Sequence, residues 1–360
     1  MDAMMISKQW ANRPDDERFA SMHDLHEFNL AKRERSQEKG VALDHLRLGV
    51  DPNGGLLLGD REKAVGANLT HWAFGQLCQR VHAPAGYLRQ LPAGLAAIPL
   101  QWSMETARED AKLLIRRDAE EDHWTVDAVT SDTYGRIYDA AMSQAIMERV
   151  DLEVWKVPSA SYASTNPKRA TTLYASDRDC FIALVDDKHP IEVPGGNGKD
   201  TLFRGFICRN SEVGAATYDL FLFLYRMICD NRIIHGLSSA RQLKIRHTSG
   251  GPMRFMYEAQ PALYGYLTAG TQDTVGAILA AREKTLGRTE ADVTAWLKAR
   301  GFTQSVANRA NELAAEEPGN PRSLWNVVNG LTAAAHEVKW GDERLDLEQK
   351  ASKLLDVVVN

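Results

Sequence analysis

Seven side chains able to meet an anion or a base gather between positions 226 and 247: Arg226, Asn231, Arg232, Arg241, Lys244, Arg246 and His247, with Asp230 the only acid among them. Guanidinium and ammonium groups at this density suit the neutralisation of a phosphate backbone, with Arg204 and Arg209 just upstream as further contacts. Tyr225, Phe255 and Tyr257 offer flat faces on which unpaired bases stack. The structural alternative is a solvated face whose cations pair with acids elsewhere in the chain. Across residues 202–256 eight Lys/Arg stand against three acids, a local net of +5 in a chain whose formal charge is −5, leaving −10 for the remainder. That distribution excludes a uniformly basic coat protein and leaves open a cationic groove on an acidic body.

Two shorter segments carry polar residues at suggestive spacing. Ser131-Asp132-Thr133-Tyr134-Gly135-Arg136 has the chemistry of a turn, with Ser131 and Asp132 bonding to nearby backbone and Gly135 supplying a permissive dihedral. Its functional alternative is a recognition loop in which Tyr134 stacks and Arg136 touches a phosphate. Asn210-Ser211-Glu212-Val213-Gly214 reads as a strand-to-helix junction: Asn210 or Ser211 caps, Glu212 favours a helix N-terminus, and Gly214 makes a tight bend.

Catalytic signatures are absent: no Gly-x-Ser-x-Gly, His-Glu-x-x-His, Gly-x-Gly-x-x-Gly or Walker pattern occurs. Asp127, Asp132 and Asp139 fall close enough in sequence to hold a divalent ion for phosphodiester cleavage, although turns and helix starts explain Asp132 and Asp139 equally. The four cysteines, Cys78, Cys180, Cys208 and Cys229, lack paired spacing, and with His235 and His247 they match no standard zinc pattern. We therefore expect no catalytic residues, no metal and no cofactor, and read the cysteines as buried thiols of a reduced compartment. The first fifteen residues show no export signal, and no uncharged run approaches the length of a membrane helix, so a cytoplasmic protein without membrane contact is expected.

These residues need a scaffold, and the 360-residue chain supplies patterns for one. Residues 1–50 read as a polar, helical arm, 51–256 as an α+β core domain, and 257–360 as a helical region. Thr70 caps a helix bearing Phe74 and Leu77, Pro84 starts a second, and the pair is expected to pack on a sheet. Residues 112–117 and 123–129 form a hairpin, and 137–150 a helix. Strands follow at 152–157, 171–176, 180–185 and 202–208, then an apolar helix at 217–229. Residues 242–248 alternate, Lys244 and Arg246 on one face and Leu243 and Ile245 on the other, as a strand with a buried side does. The fold class expected is α+β, a central, mostly antiparallel sheet with packed helices and a C-terminal helical region.

Read together, several segments resemble a phage- and plasmid-borne family known as domain of unknown function 932: residues 69–92, 131–136 and 210–214, Cys229-Asp230-Asn231, Arg246-His247, and the helix at 325–336. The chain departs from that pattern at Arg232, where the family has glycine. The family carries no established activity; the resemblance implies action inside a bacterium, in a mobile-element setting. On this basis we expect a non-catalytic DNA-binding protein, favouring single strands, that serves phage or plasmid recombination or replication by single-strand binding or annealing. A protein-binding module that inhibits a host defence or replication factor is the alternative, and a metal-dependent nuclease the third. A homo-oligomer is compatible with each.

Overall fold

The computed structural model describes residues 15–60, 66–118, 123–157, 171–195, 198–226, 231–235, 243–268, 272–335, 337–338 and 341–358; at some of these, 225–226 and 231–235 among them, it describes the backbone alone. The architecture is α+β, as expected. The strands form two sheets. The first has the order β1 (Ser36–Ala42), β5 (Asp110–Arg117), β6 (Trp124–Ser131), β4 (Gly66–Leu69), β3 (Leu56–Asp60), β2 (Leu46–Val50), antiparallel throughout except for β4 beside β6. The second runs β13 (Asn231–His235), β12 (Tyr218–Arg226), β11 (Gly198–Asn210), β9 (Cys180–Asp186), β7 (Trp155–Lys156), all antiparallel. β10 (Ile191–Gly195), β14 (Leu243–Ile245) and β8 (Leu173–Ala175) pair with β11, β12 and β9 respectively.

Two parts of the sequence adopt structure other than expected. Residues 36–50, expected in a polar arm, supply β1 and β2 of the first sheet. Before them, α1 (Met22–Glu34) is capped by Ser21 and is a surface helix that buries one side, Met22, Leu25, Asn29 and Lys32. The segment expected as an apolar helix from 217 is β12, a strand. Its run Leu-Phe-Leu-Phe-Leu is apolar at every position because both faces are covered, and periodicity cannot separate that pattern from a buried helix. Tyr218, Leu220 and Leu222 face the core that holds Ile146, Phe206 and Ile245, while Phe221 and Phe223 meet Phe181 and Ile207 on the other side. The Phe223 ring lies over Gly205 of β11, where a Cβ would come within 2.2 Å of it.

Helices position and close the sheets. Thr70 accepts a bond from the Ala73 amide and opens α2 (His71–Arg80), whose Ala73, Phe74 and Leu77 share a core with Val126 and Val129 of β6. Pro84 leads into α3 (Ala85–Leu88), and Pro92 into α4 (Ala93–Ala107). α4 guards the edge of the first sheet: Gln101 accepts from the Leu48 amide at 2.8 Å and donates to the Leu46 carbonyl at 3.1 Å. α5 (Asp139–Arg149) and the run α6 (Gly251–Arg254), π turn (Phe255–Ala259) and α7 (Gln260–Leu267) cover one face of the second sheet through Ile146, Phe255 and Leu263.

The remaining helices, α8 (Gln272–Glu283), α9 (Glu290–Lys298), α10 (Gln304–Glu316), α11 (Leu324–Ala335) and α12 (Gly341–Ser352), lie in the segment expected to be helical, 257–360. α11 is their buried centre, and Gly330 lets it approach α10, since a Cβ there would lie 2.2 Å from the Ala310 carbonyl oxygen. This helical region shares its core with Ile191, Val193, Leu202 and Leu224 of the second sheet, and Arg282 pairs with Asp200 at 2.9 Å across the join.

Candidate nucleic-acid interface

Strand register assembles a charged row. Arg209 stands opposite Asp219 on β12, and Asp219 opposite Lys244 on β14. Alternation puts these three side chains on one face of the sheet. The buried Asp219 carboxylate accepts from Arg209 Nη2 at 3.2 Å and from Thr217 Oγ1 at 2.9 Å, with Lys244 Nζ 4.0 Å away. Burial pushes the Asp219 carboxyl up, and Arg209 pulls it back. Beyond the strand, Arg246 is exposed, whereas Ile245 is fully buried, so the period-two alternation is realised as expected.

Arg209, Lys244 and Arg246 line one open groove of about 480 Å³ with Tyr134, Gly214 and His247. Its cations outnumber the neighbouring carboxylate of Asp219 three to one. Gly214 turns the chain at φ +83° between β11 and β12, in the left-handed region glycine tolerates. Tyr134 and His247 stack, ring centroids 5.0 Å apart and planes 8° from parallel. Burial lowers the His247 pKa to about 4, which leaves the ring neutral near pH 7.

The groove rests on a buried polar cluster. The Gly135 amide donates to the His247 carbonyl at 3.1 Å, and a Cβ on Gly135 would lie 2.0 Å from the Thr248 carbonyl oxygen, so the loop 131–136 sits tightly on 247–248. Tyr134 donates through its hydroxyl to Ser211 O at 3.3 Å. Arg136 is buried: it donates to Glu38 Oε2 at 2.8 Å, to Thr130 Oγ1 at 3.3 Å, and to the Glu212 carbonyl. The expectation that Arg136 contacts phosphate is therefore corrected; its guanidinium is consumed inside the protein.

The motif 210–214 likewise points inward, and it joins a strand to a strand, so the expected following helix is absent. Glu212 does meet a helix N-terminus, but that of α5: its Oε1 accepts from the Asp139 amide at 2.8 Å. Asn210 donates through Nδ2 to Ile137 O and to Asp139 Oδ1, both at 2.8 Å. Ser211 donates to Arg178 O at 2.5 Å and accepts from the Ala215 amide at 2.9 Å. Lys32 completes the cluster, 3.2 Å from Asp139 Oδ2 and 3.2 Å from Glu212 Oε2. Burial and then Glu212 push the Asp139 carboxyl well above the ordinary range, against the pull of Lys32. Nothing in the sequence around Lys32 signals this role, because its partners lie more than a hundred residues away.

Arg204 is also placed elsewhere. It lies on the opposite face of β11 from Arg209, pairs with Asp186 at 3.3 Å and lies 5.8 Å from the Trp155 ring. The side chains of Arg226, Asn231 and Arg232, and the whole of Arg241, lie outside the described residues. The three acids considered for a metal serve different partners: Asp127 pairs with Arg116 at 3.1 Å, Asp139 with Lys32, and Asp132 is exposed in its turn. Among the described residues, Cys78, Cys180 and Cys208 are buried free thiols, and no helix is long and apolar enough to cross a membrane. Comparison with family models, with curated proteins and with solved structures returns no match for this chain.

Proposed function

We propose that this chain is a non-catalytic nucleic-acid-binding protein that engages phosphates in the groove of Arg209, Lys244 and Arg246 and favours single-stranded DNA, in the recombination or replication of a phage or plasmid. The observation that carries the proposal is the convergence of those three cations, from two strands and the segment beyond, on one open surface with a single buried acid among them. The stacked Tyr134–His247 pair in the groove wall offers flat, uncharged surface beside the cations, the combination that single-strand grooves use. A groove of about 480 Å³ suits a few nucleotides of one strand, and the residues that line it come from strands and loops.

Fluorescence anisotropy with labelled single-stranded and duplex oligonucleotides tests this reading. Salt-sensitive binding, tighter to the single strand, is expected; no binding at low ionic strength would refute it. A second reading, a module that binds a host protein, is supported by Met253, Met256, Tyr257 and Tyr264, which are 57–71% exposed along one helical run. Retention of a bacterial protein after nuclease digestion, lost in Tyr257→Ala, is the outcome that reading requires.

A further inference from the structure

We propose that Arg178, seated on the Trp72 ring, is a base-stacking contact of the same single-strand path, which leaves the cationic groove at Gly214 and continues onto this pair. The inference rests on the nucleic-acid reading of the groove and extends it to residues from other elements.

The turn at 211–214 joins the two places. A Cβ on Gly214 would lie 3.6 Å from the Tyr134 ring and 3.5 Å from Gln76 Nε2 of α2. Gln76 donates to the Val213 carbonyl at 2.7 Å. Trp72, one helical turn earlier on the same face of α2, donates to that carbonyl through Nε1 at 3.0 Å. Its ring is half-buried against Val213, Leu114 and Ala128. Arg178, in the bend between β8 and β9, meets the same turn because Ser211 donates to its carbonyl. Tyr134, which bonds to Ser211 O, is thus held on the turn that also holds Trp72 and Arg178.

The Arg178 guanidinium is held in an unusual way for this protein. It lies over the Trp72 ring, 5.5 Å from the centroid, and the residue is exposed. Arg33 and Arg300 also cover rings, those of Tyr138 and Trp296, but each donates to a carbonyl as well, Ser36 O at 3.1 Å and Trp296 O at 3.2 Å. Among the described residues the Arg178 side chain has the Trp72 ring and neither a carboxylate nor a hydrogen-bond partner. A planar guanidinium seated on an indole keeps its outer face for a third planar group, and unpaired bases stack on arginine planes as they do on aromatic rings. A base inside a duplex has both faces covered, so a single strand is the partner that supplies such a group. Charge favours stacking here over a further phosphate contact. Asp177 and Asp179 flank Arg178, so the bend adds no net positive charge to the path.

Anisotropy titrations of the full chain with a labelled single-stranded oligonucleotide and with the duplex of the same sequence, each over a salt series, test the proposal. Arg178→Lys keeps the charge and loses the plane. Its single-strand affinity should fall about fivefold, with the salt slope and the duplex affinity unchanged. Arg178→Tyr keeps a plane and loses the charge, and should retain the parent's ratio of single-strand to duplex affinity. Both variants should keep the parent's circular-dichroism spectrum, because the residue is exposed in a bend. Parent-like single-strand affinity in Arg178→Lys would overturn the proposal, as would an equal loss toward the duplex or the same loss in Arg178→Tyr. If exchanging Lys244 and Arg246 for alanine abolishes binding while Arg178→Lys is neutral, this extension alone falls. A parent that binds neither oligonucleotide overturns the groove reading and the extension with it.

Discussion

Arg136 and Arg246 are both arginines in polar segments, yet one is spent on the interior and the other faces solvent. Arg136 answers to Glu38, Thr130 and the Glu212 carbonyl, so its removal leaves several buried acceptors without a donor. Lys32 is bound more tightly into the interior, between Asp139 and Glu212. Lys32→Met should destabilise the fold by roughly 3–5 kcal/mol in urea denaturation, because two carboxyls then remain buried without their cation. His247 gives a pH-dependent counterpart. Its pKa in the fold is about 4, below the ordinary 6.5, so above pH 6.5 the ring is neutral whether folded or unfolded. As pH falls from 6.5 toward 4 the unfolded chain takes up a proton that the folded chain refuses, and stability is lost. That loss should reach about 2 kcal/mol at pH 5 relative to pH 8. In His247→Gln the slope of urea midpoint against pH should shrink; it should not vanish, because burial lowers the His26 pKa too.

At the scale of elements, the two sheets explain which parts of the structure were legible in the sequence. The hairpin of β5 and β6, the capped α2, the proline-led α3 and the five C-terminal helices follow from local signals: caps, turn residues and apolar spacing. The short β14 was legible because one face is wet and the other dry. β12 was not, since a strand buried on both faces loses its alternation, and the aromatic run then matches a helix equally well. The Asn-Ser-Glu-Val-Gly segment was recognisable as a junction, but its partners Lys32, Asp139 and Tyr134 are distant in sequence and no local pattern names them. Half of the candidate groove was thus visible as a basic stretch; its floor, and the withdrawal of Arg136 and Arg204 from it, were not. Gly205 tests the placement of β12. Gly205→Ala should destabilise by roughly 1–3 kcal/mol, because the Phe223 ring occupies the space the new methyl group would need. A helix at 217–229 would leave that substitution nearly neutral.

For the whole molecule, net charge and local charge point in different directions. The chain is acidic overall, yet three strands and two loops fold so that Arg209, Lys244 and Arg246 share one groove. The buried cluster of Lys32, Asp139, Glu212 and Arg136 holds the loop and the β11–β12 turn that shape it. Segments 131–136 and 210–214 are, on this account, mostly the support, and the cations at its surface are the working groups. Because Lys244 and Arg246 are exposed, exchanging both for alanine should leave the unfolding free energy from urea denaturation within about 0.5 kcal/mol of the parent. The most direct test is the salt dependence of binding to a single-stranded oligonucleotide, compared between the parent and this double variant. Three phosphate contacts predict a logarithmic slope of about −2 for the parent, and loss of two of them a slope shallower than about −1. Equal slopes in the two proteins would contradict the account.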